Sequence, residues 1–152
     1  MGTDVHMIVE TQQRNGKWKY VEELGMDRNY EFFDFLANVR GSSYSPLVDN
    51  LRSTLPADLS EEALQKIAQG KSDDPLVYNQ GLFLGEYGFG TLTLETFQKH
   101  RWKHVWKKYL HYNTEFGEED TNYGVLFNIS RMLFALISHG TRPTRIVFGF
   151  DS

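Results

Sequence analysis

The sequence predicts an α+β fold: a small antiparallel sheet, made of an N-terminal hairpin and a C-terminal strand, packed on about four helices. Three observations predict it. Residues 4–22 alternate in polarity on either side of Asn15-Gly16, the strongest short-range hairpin signal. Residues 145–151 alternate again, after Pro143. Between them, apolar residues recur at helical spacing in four stretches.

The first strand puts Asp4, His6, Ile8 and Glu10 on one face and Val5, Met7 and Val9 on the other. With Asn15-Gly16 as a two-residue turn, Arg14 faces Lys17 and Thr11 faces Tyr20. Trp18 and Tyr20 then extend the Val5/Met7 core face. A helix follows from about Asn29 to Arg40, capped by Asp27 or Asn29 and stopped by Gly41, with Phe32, Phe35, Leu36 and Val39 as its stripe. Residues 41–58 read as a loop. Ser60 caps the next helix, Glu61 and Glu62 suit its first turn, Leu59 and Leu64 form a hydrophobic staple, and Gly70 ends it. Residues 71–90, with Gly81, Gly85, Gly88 and Gly90, read as a second long irregular segment.

Thr93 caps a helix to about Tyr112, with Trp102, Val105, Trp106 and Tyr109 facing inward. An acidic loop, Thr114 to Asp120, comes next. The following helix, about Asn122 to Ser138, is apolar nearly all round and reads as the most buried. In the last strand Ile146, Phe148 and Phe150 share a face. Pairing of the first and last strands would tie down both and bring Asp151 beside Asp4 or His6.

At 152 residues the chain is expected to form a single domain, 1–152. Its net charge of −4 confines any nucleic-acid or nucleotide site to a local positive patch. With no cysteine, zinc–thiolate sites, disulfides and thiol nucleophiles are excluded, and a reducing compartment fits. No signal-peptide pattern opens the chain, and the most apolar stretch, Val125 to Ile137, is too short to span a bilayer. The expectation is a cytoplasmic protein without membrane contact.

Asp4, His6 and Asp151 form the first candidate site. One imidazole and two carboxylates suit a divalent metal with open positions for water, or proton transfer. Glu10 lies about 13 Å beyond Asp4–His6 by strand rise, too far to share one ion. The structural alternative is that His6 merely orders the N-terminus. The second candidate is the basic run Lys99-His100-Arg101-Trp102-Lys103-His104-Val105-Trp106-Lys107-Lys108, where Lys103 and its neighbours could hold phosphates and the tryptophans stack bases. The third is the glycine-rich stretch 81–91, which is neither a P-loop nor a dinucleotide fingerprint and would serve as a lid. The fourth is Arg28 and Arg40 at the two ends of one helix. Arg40 suits a helix C-terminus, whereas Arg28 needs another partner, a carboxylate or a bound anion. His139-Gly140-Thr141 is a single His-x-Thr motif, and two-histidine phosphodiesterase chemistry needs a pair.

Met1-Gly2-Thr3-Asp4-Val5-His6 with Glu10, then Gly16-Lys17-Trp18, Arg28-Asn29-Tyr30, Val39-Arg40, Leu92-Thr93-Leu94 and Phe150-Asp151, resembles a family of small bacteriophage and bacterial proteins that open with a Gly-x-Asp-x-His signature. The likeness runs from end to end, in short motifs. Members often carry a His-Ser pair just before Leu-Thr-Leu; this chain departs from that pattern with Gly88-Phe89-Gly90-Thr91. The resemblance implies a phage-type accessory protein in the host cytoplasm, of a kind that acts on host defence, nucleotides or nucleic acid.

Three functions are therefore expected to compete. The first is a non-catalytic binder of a small anionic, nucleotide-like ligand, requiring no cofactor. In it Arg28, Arg40 and Lys103 neutralise phosphate, Tyr30 or Tyr87 stacks a base, and a loop closes over the ligand, with a homodimer possible. The second is a metal-dependent hydrolase or phosphodiesterase using Asp4 and His6, with Asp151 as third ligand. The third is a protein–protein inhibitor of a host factor.

Overall fold

The computed structural model describes residues 2–39, 46–100, 102 and 118–152. It is an α+β fold whose four-stranded antiparallel sheet has the order β2-β1-β4-β3. The elements are β1 (Asp4–Gln12), β2 (Trp18–Leu24), α1 (Tyr30–Ala37), α2 (Glu61–Gln69), α3 (Pro75–Tyr78), β3 (Tyr87–Thr93), α4 (Leu94–Lys99), α5 (Glu118–Ile137) and β4 (Thr144–Asp151). The hairpin and the paired terminal strands are as the alternation predicts, and β4 joins β1 directly. Among the described residues no helix is long and apolar enough to cross a membrane.

The hairpin corrects the expected register. Gln13 N–H donates to the Lys17 carbonyl and Gly16 N–H to that of Gln13, both at 2.9 Å. The loop therefore has three residues, Arg14-Asn15-Gly16, with Gly16 in the left-handed region at φ +85°. Glu10 now pairs with Tyr20 and Gln12 with Trp18. A one-residue slip turns side chains to the other face. Trp18 and Tyr20 accordingly sit on the Glu10 side, away from Val5 and Met7. Past a bulge, Val9 faces Glu22, and the expected register returns.

Both sheet faces are covered. On one, Val5, Met7, Val9, Ile146, Phe148 and Phe150 pack against Phe32 and Phe33 of α1 and Val125, Ile129 and Met132 of α5. On the other, Ile8 and Val147 pack against Leu59, Ala63, Leu82 and Leu84, with Tyr20 at the edge. β4 is thus buried on both faces, rather than on the single face read from its alternation.

The helices differ from expectation in their ends. Asn29 caps α1 by accepting from Phe32 N–H at 2.9 Å, and Asn38 at φ 55° ends it, three residues earlier than the expected stop at Gly41. Arg40 and Gly41 lie outside the described residues. Ser60 caps α2, but Leu64 stays exposed, so Leu59 and Ala63 supply the apolar contact instead of a Leu59–Leu64 staple. α4 stops at His100, whose extended backbone (ψ 150°) breaks the long helix expected from Thr93; residues 103–117 lie outside the described part.

Two corrections concern whole segments. Residues 71–90 are only partly irregular: they hold α3 and the start of an edge strand, β3, so Gly88 and Gly90 of the glycine-rich stretch lie in the sheet, while residues 81–86 form the irregular connection ahead of it. Gly90 is needed there because a Cβ would collide with the Phe148 ring. α5 is not buried all round. Val125, Asn128, Ile129, Met132, Ala135 and Leu136 face inward, while Phe127, Phe134 and Ile137 lie open to solvent.

Candidate functional site

The β1–β4 pairing sets Asp4 opposite Asp151 and His6 opposite Gly149. Asp151 reaches across to both neighbours. Its Oδ2 meets His6 Nε2 at 2.8 Å, and its Oδ1 accepts from Asp4 N–H at 3.3 Å. Arg28 closes the group with a fork: Nε donates to Asp4 Oδ1 at 2.7 Å and Nη2 to Oδ2 at 2.5 Å. The segment carrying Arg28 is fixed from behind. Buried Asn128 of α5 donates to the Asp27 carbonyl at 3.2 Å and accepts from Asp27 N–H at 3.4 Å. Gly2 lies under the guanidinium, where a Cβ would collide with Arg28 Nη1.

The electrostatics follow from these bonds. The Arg28 hydrogen bonds hold the Asp4 carboxyl below the usual carboxylate range, with partial burial opposing and the Arg28 and His6 charges adding to the effect. Asp4 in turn raises Arg28 above its ordinary value, first by hydrogen bonding and then by charge, with Tyr30 and Asp151 adding smaller contributions. Tyr87 donates its hydroxyl to the Asp151 carbonyl at 3.4 Å and stacks on Phe150. Phe83 places its ring edge-on to His6, centroids 4.8 Å apart.

So the structure brings together Asp4, His6, Arg28 and Asp151, with Tyr87 against Asp151 and Tyr30 near Arg28. Arg28 has a carboxylate as the partner its position called for. Lys103 and Arg40 lie outside the described residues. Of the basic run, Lys99 pairs with Glu95 at 2.6 Å, and His100 packs edge-on against Phe35 and Trp102. Among the described residues no group of three His, Asp or Glu side chains is placed to share a metal ion. The Asp4 carboxylate faces Arg28 instead.

Three residues escaped the sequence reading. Phe83 is one. Arg145 is the second: it is buried, its Nε donates to fully buried Glu10 at 2.9 Å and its Nη1 to Asp58 at 2.9 Å, and Trp18 lies on the guanidinium. Ser60 N–H completes the Glu10 carboxylate at 2.9 Å. A signal for Arg145 existed, because a register pairing Asp4 with Asp151 also pairs Glu10 with Arg145. Arg52 is the third. Its backbone clips to Phe89 by two hydrogen bonds of 2.8 and 3.0 Å, and its side chain makes no ion pair among the described residues.

Beside Arg52 and Arg145 opens a cleft of about 570 Å³, also lined by Asn50, Thr54 and Thr91. A second cavity of about 490 Å³, lined by Lys71, Phe83, Leu84 and Glu86, shares Thr54 and Phe89 with it. Arg52 lines the first cavity and Phe83, whose ring meets His6, lines the second. Comparison with protein-family models, curated proteins and solved structures found no match to this chain.

Proposed function

We propose that the protein binds a small anionic, nucleotide-like ligand at the two neighbouring cavities lined by Arg52 and by Phe83, and holds it unchanged. The observation that carries this reading is Arg52, an exposed guanidinium without an ion pair among the described residues, at a cleft that also offers Asn50, Thr54 and Thr91. A guanidinium with its fork free suits phosphate oxygens, and the hydroxyl and amide groups add donors. A volume of several hundred Å³ is the size that small-ligand pockets take. Exposed Phe83 offers a ring for stacking a base, whereas Tyr87 lines neither cavity and stacks on Phe150. Arg28 is neutralised by Asp4, so the anion falls to Arg52 rather than to Arg28. Capture without turnover is how a phage accessory protein would withdraw a host signalling nucleotide.

The test is a thermal-shift series in EDTA with mono-, di- and cyclic nucleotides and inorganic phosphate. A ligand at about 100 times its Kd stabilises by about 2.7 kcal/mol, a shift of several degrees. The shift should vanish in Arg52→Glu, and the ligand should be recovered intact. No shift with any of these probes would overturn the reading.

One observation favours a second, hydrolytic reading. Asp151 holds His6 through Nε2, and His6 Nδ1 has no hydrogen-bond partner among the described residues. A carboxylate-oriented imidazole can act as a general base or ligate a divalent metal. Turnover of a nucleotide ester that is lost in His6→Gln but kept in Arg52→Glu would favour it over simple binding.

A further inference from the structure

α5 carries two apolar faces. One is buried against α1 and the sheet. The other runs Tyr123, Phe127, Ser130, Phe134, Ile137, a 4-3-4-3 spacing that keeps all five on one stripe of the helix, directly opposite the buried Met132. Among the described residues this stripe is the longest run of exposed large apolar side chains: Phe127 is 53%, Ile137 52% and Phe134 69% exposed, with Leu133 at the margin. A solvated helix face does not normally carry three such side chains in register.

From this geometry we infer that α5 is the interface of a homodimer, two copies of the helix lying antiparallel along this seam. The occupant is argued from the stripe's shape. Ser130 is a recess between Phe127 and Phe134. In an antiparallel pairing with its two-fold axis level with Met132, Phe134 of each copy falls opposite Ser130 of the other, and Phe127 falls opposite Ile137. Each bulky ring thus meets a small or aliphatic partner, and the relation is reciprocal, as a two-fold interface requires. The Ser130 hydroxyl already donates to the Leu126 carbonyl at 2.9 Å, so it enters a dry interface without losing a hydrogen bond. Area points the same way. With aromatic side chains burying roughly 150–250 Å² each when fully covered, the exposed stripe offers on the order of 500 Å² per copy. Two copies then bury about 1,000 Å², the lower bound for a specific interface and consistent with a dimer of micromolar Kd.

The experiment is sedimentation equilibrium on the full chain, from about 1 to 100 μM, which brackets a micromolar Kd. Wild type should move from monomer to dimer. Phe134→Glu should weaken association at least about tenfold, with unchanged circular dichroism and melting below the dimer range. Orientation is read by cross-linking introduced cysteines with a short bis-maleimide, since the chain has no cysteine of its own. The two copies of Leu133→Cys lie roughly 9 Å apart beside the axis at ordinary helix spacing and should cross-link. The two copies of Tyr123→Cys lie about 27 Å apart by helix rise and should not. A wild type monomeric throughout, a Phe134→Glu variant that dimerises as well as wild type, or efficient cross-linking at position 123 would each overturn the inference.

Discussion

Asp4 and Asp151 face each other across adjacent antiparallel strands, yet each carboxylate has its own cationic or protic partner, Arg28 for one and His6 for the other. Like charges directly opposite on a sheet are destabilising unless compensated. The two partners come from different elements, β1 itself and the segment ahead of α1, so the pair of pairs fastens three parts of the chain at one end of the sheet.

Acid sensitivity follows from the Asp4–Arg28 half of that arrangement. Arg28 depresses the Asp4 pKa, so the stability it contributes is fully present above the unfolded-state value of about 3.9 and is lost as pH falls through the lower folded value. Both side chains are largely exposed, so the effect is modest. In urea titrations, Arg28→Gln should lie below wild type at about pH 7, and the gap should narrow steadily as pH falls below the unfolded-state value of about 3.9. A gap of equal size at both pH values would show that Arg28 acts through packing instead.

A larger effect belongs to the Glu10–Arg145 pair, which is buried where the first is exposed. Arg145→Met leaves the Glu10 carboxylate in the interior with only the Ser60 amide, and should cost about 3–5 kcal/mol in denaturant unfolding. Adding Glu10→Leu should recover much of that loss, because the stranded charge goes too. A single variant within about 1 kcal/mol of wild type would contradict the burial on which this rests.

Glycine contacts make a third comparison. A Cβ on Gly149 would run into the Leu84 carbonyl, in the buried connection ahead of β3, and the Phe89 ring of β3, whereas one on Gly16 meets nothing within 4 Å and suffers only from its positive φ. Gly16→Ala should therefore cost about 1 kcal/mol and Gly149→Ala about 2–3 kcal/mol or more, compared by calorimetric melting. Equal losses at the two positions would mean that strand β4 yields easily to a methyl group.

How far the sequence reached can be followed residue by residue. Alternation and Asn15-Gly16 located the hairpin, and pairing of the terminal strands put Asp151 beside Asp4 and His6. Loop length was not legible: a two- or a three-residue loop satisfies the same dipeptide, and only the longer one sends Trp18 to Arg145. β3 escaped because Gly88-Phe89-Gly90 violates strand preference. Its glycines answer to Phe148 and Phe150, side chains some sixty positions away. Phe83 and Arg52 reach their cavities through loops whose paths no local pattern fixes. For α5, composition reported two apolar faces but not that one of them would be left open.

The strand order has a consequence for synthesis. β4 is the last of the four strands to leave a ribosome, and it occupies the slot between β1 and β3. Until it arrives, β1 has an open edge and β3 has only the Arg52 bridge beside it, so the nascent chain holds unpaired backbone and the Phe32–Phe33 cluster without its lid of Phe148 and Phe150. Completion of the sheet is thereby deferred until β4 has been made, and a chain cut short before residue 144 would be suited to aggregation or proteolysis rather than a weakened version of the protein.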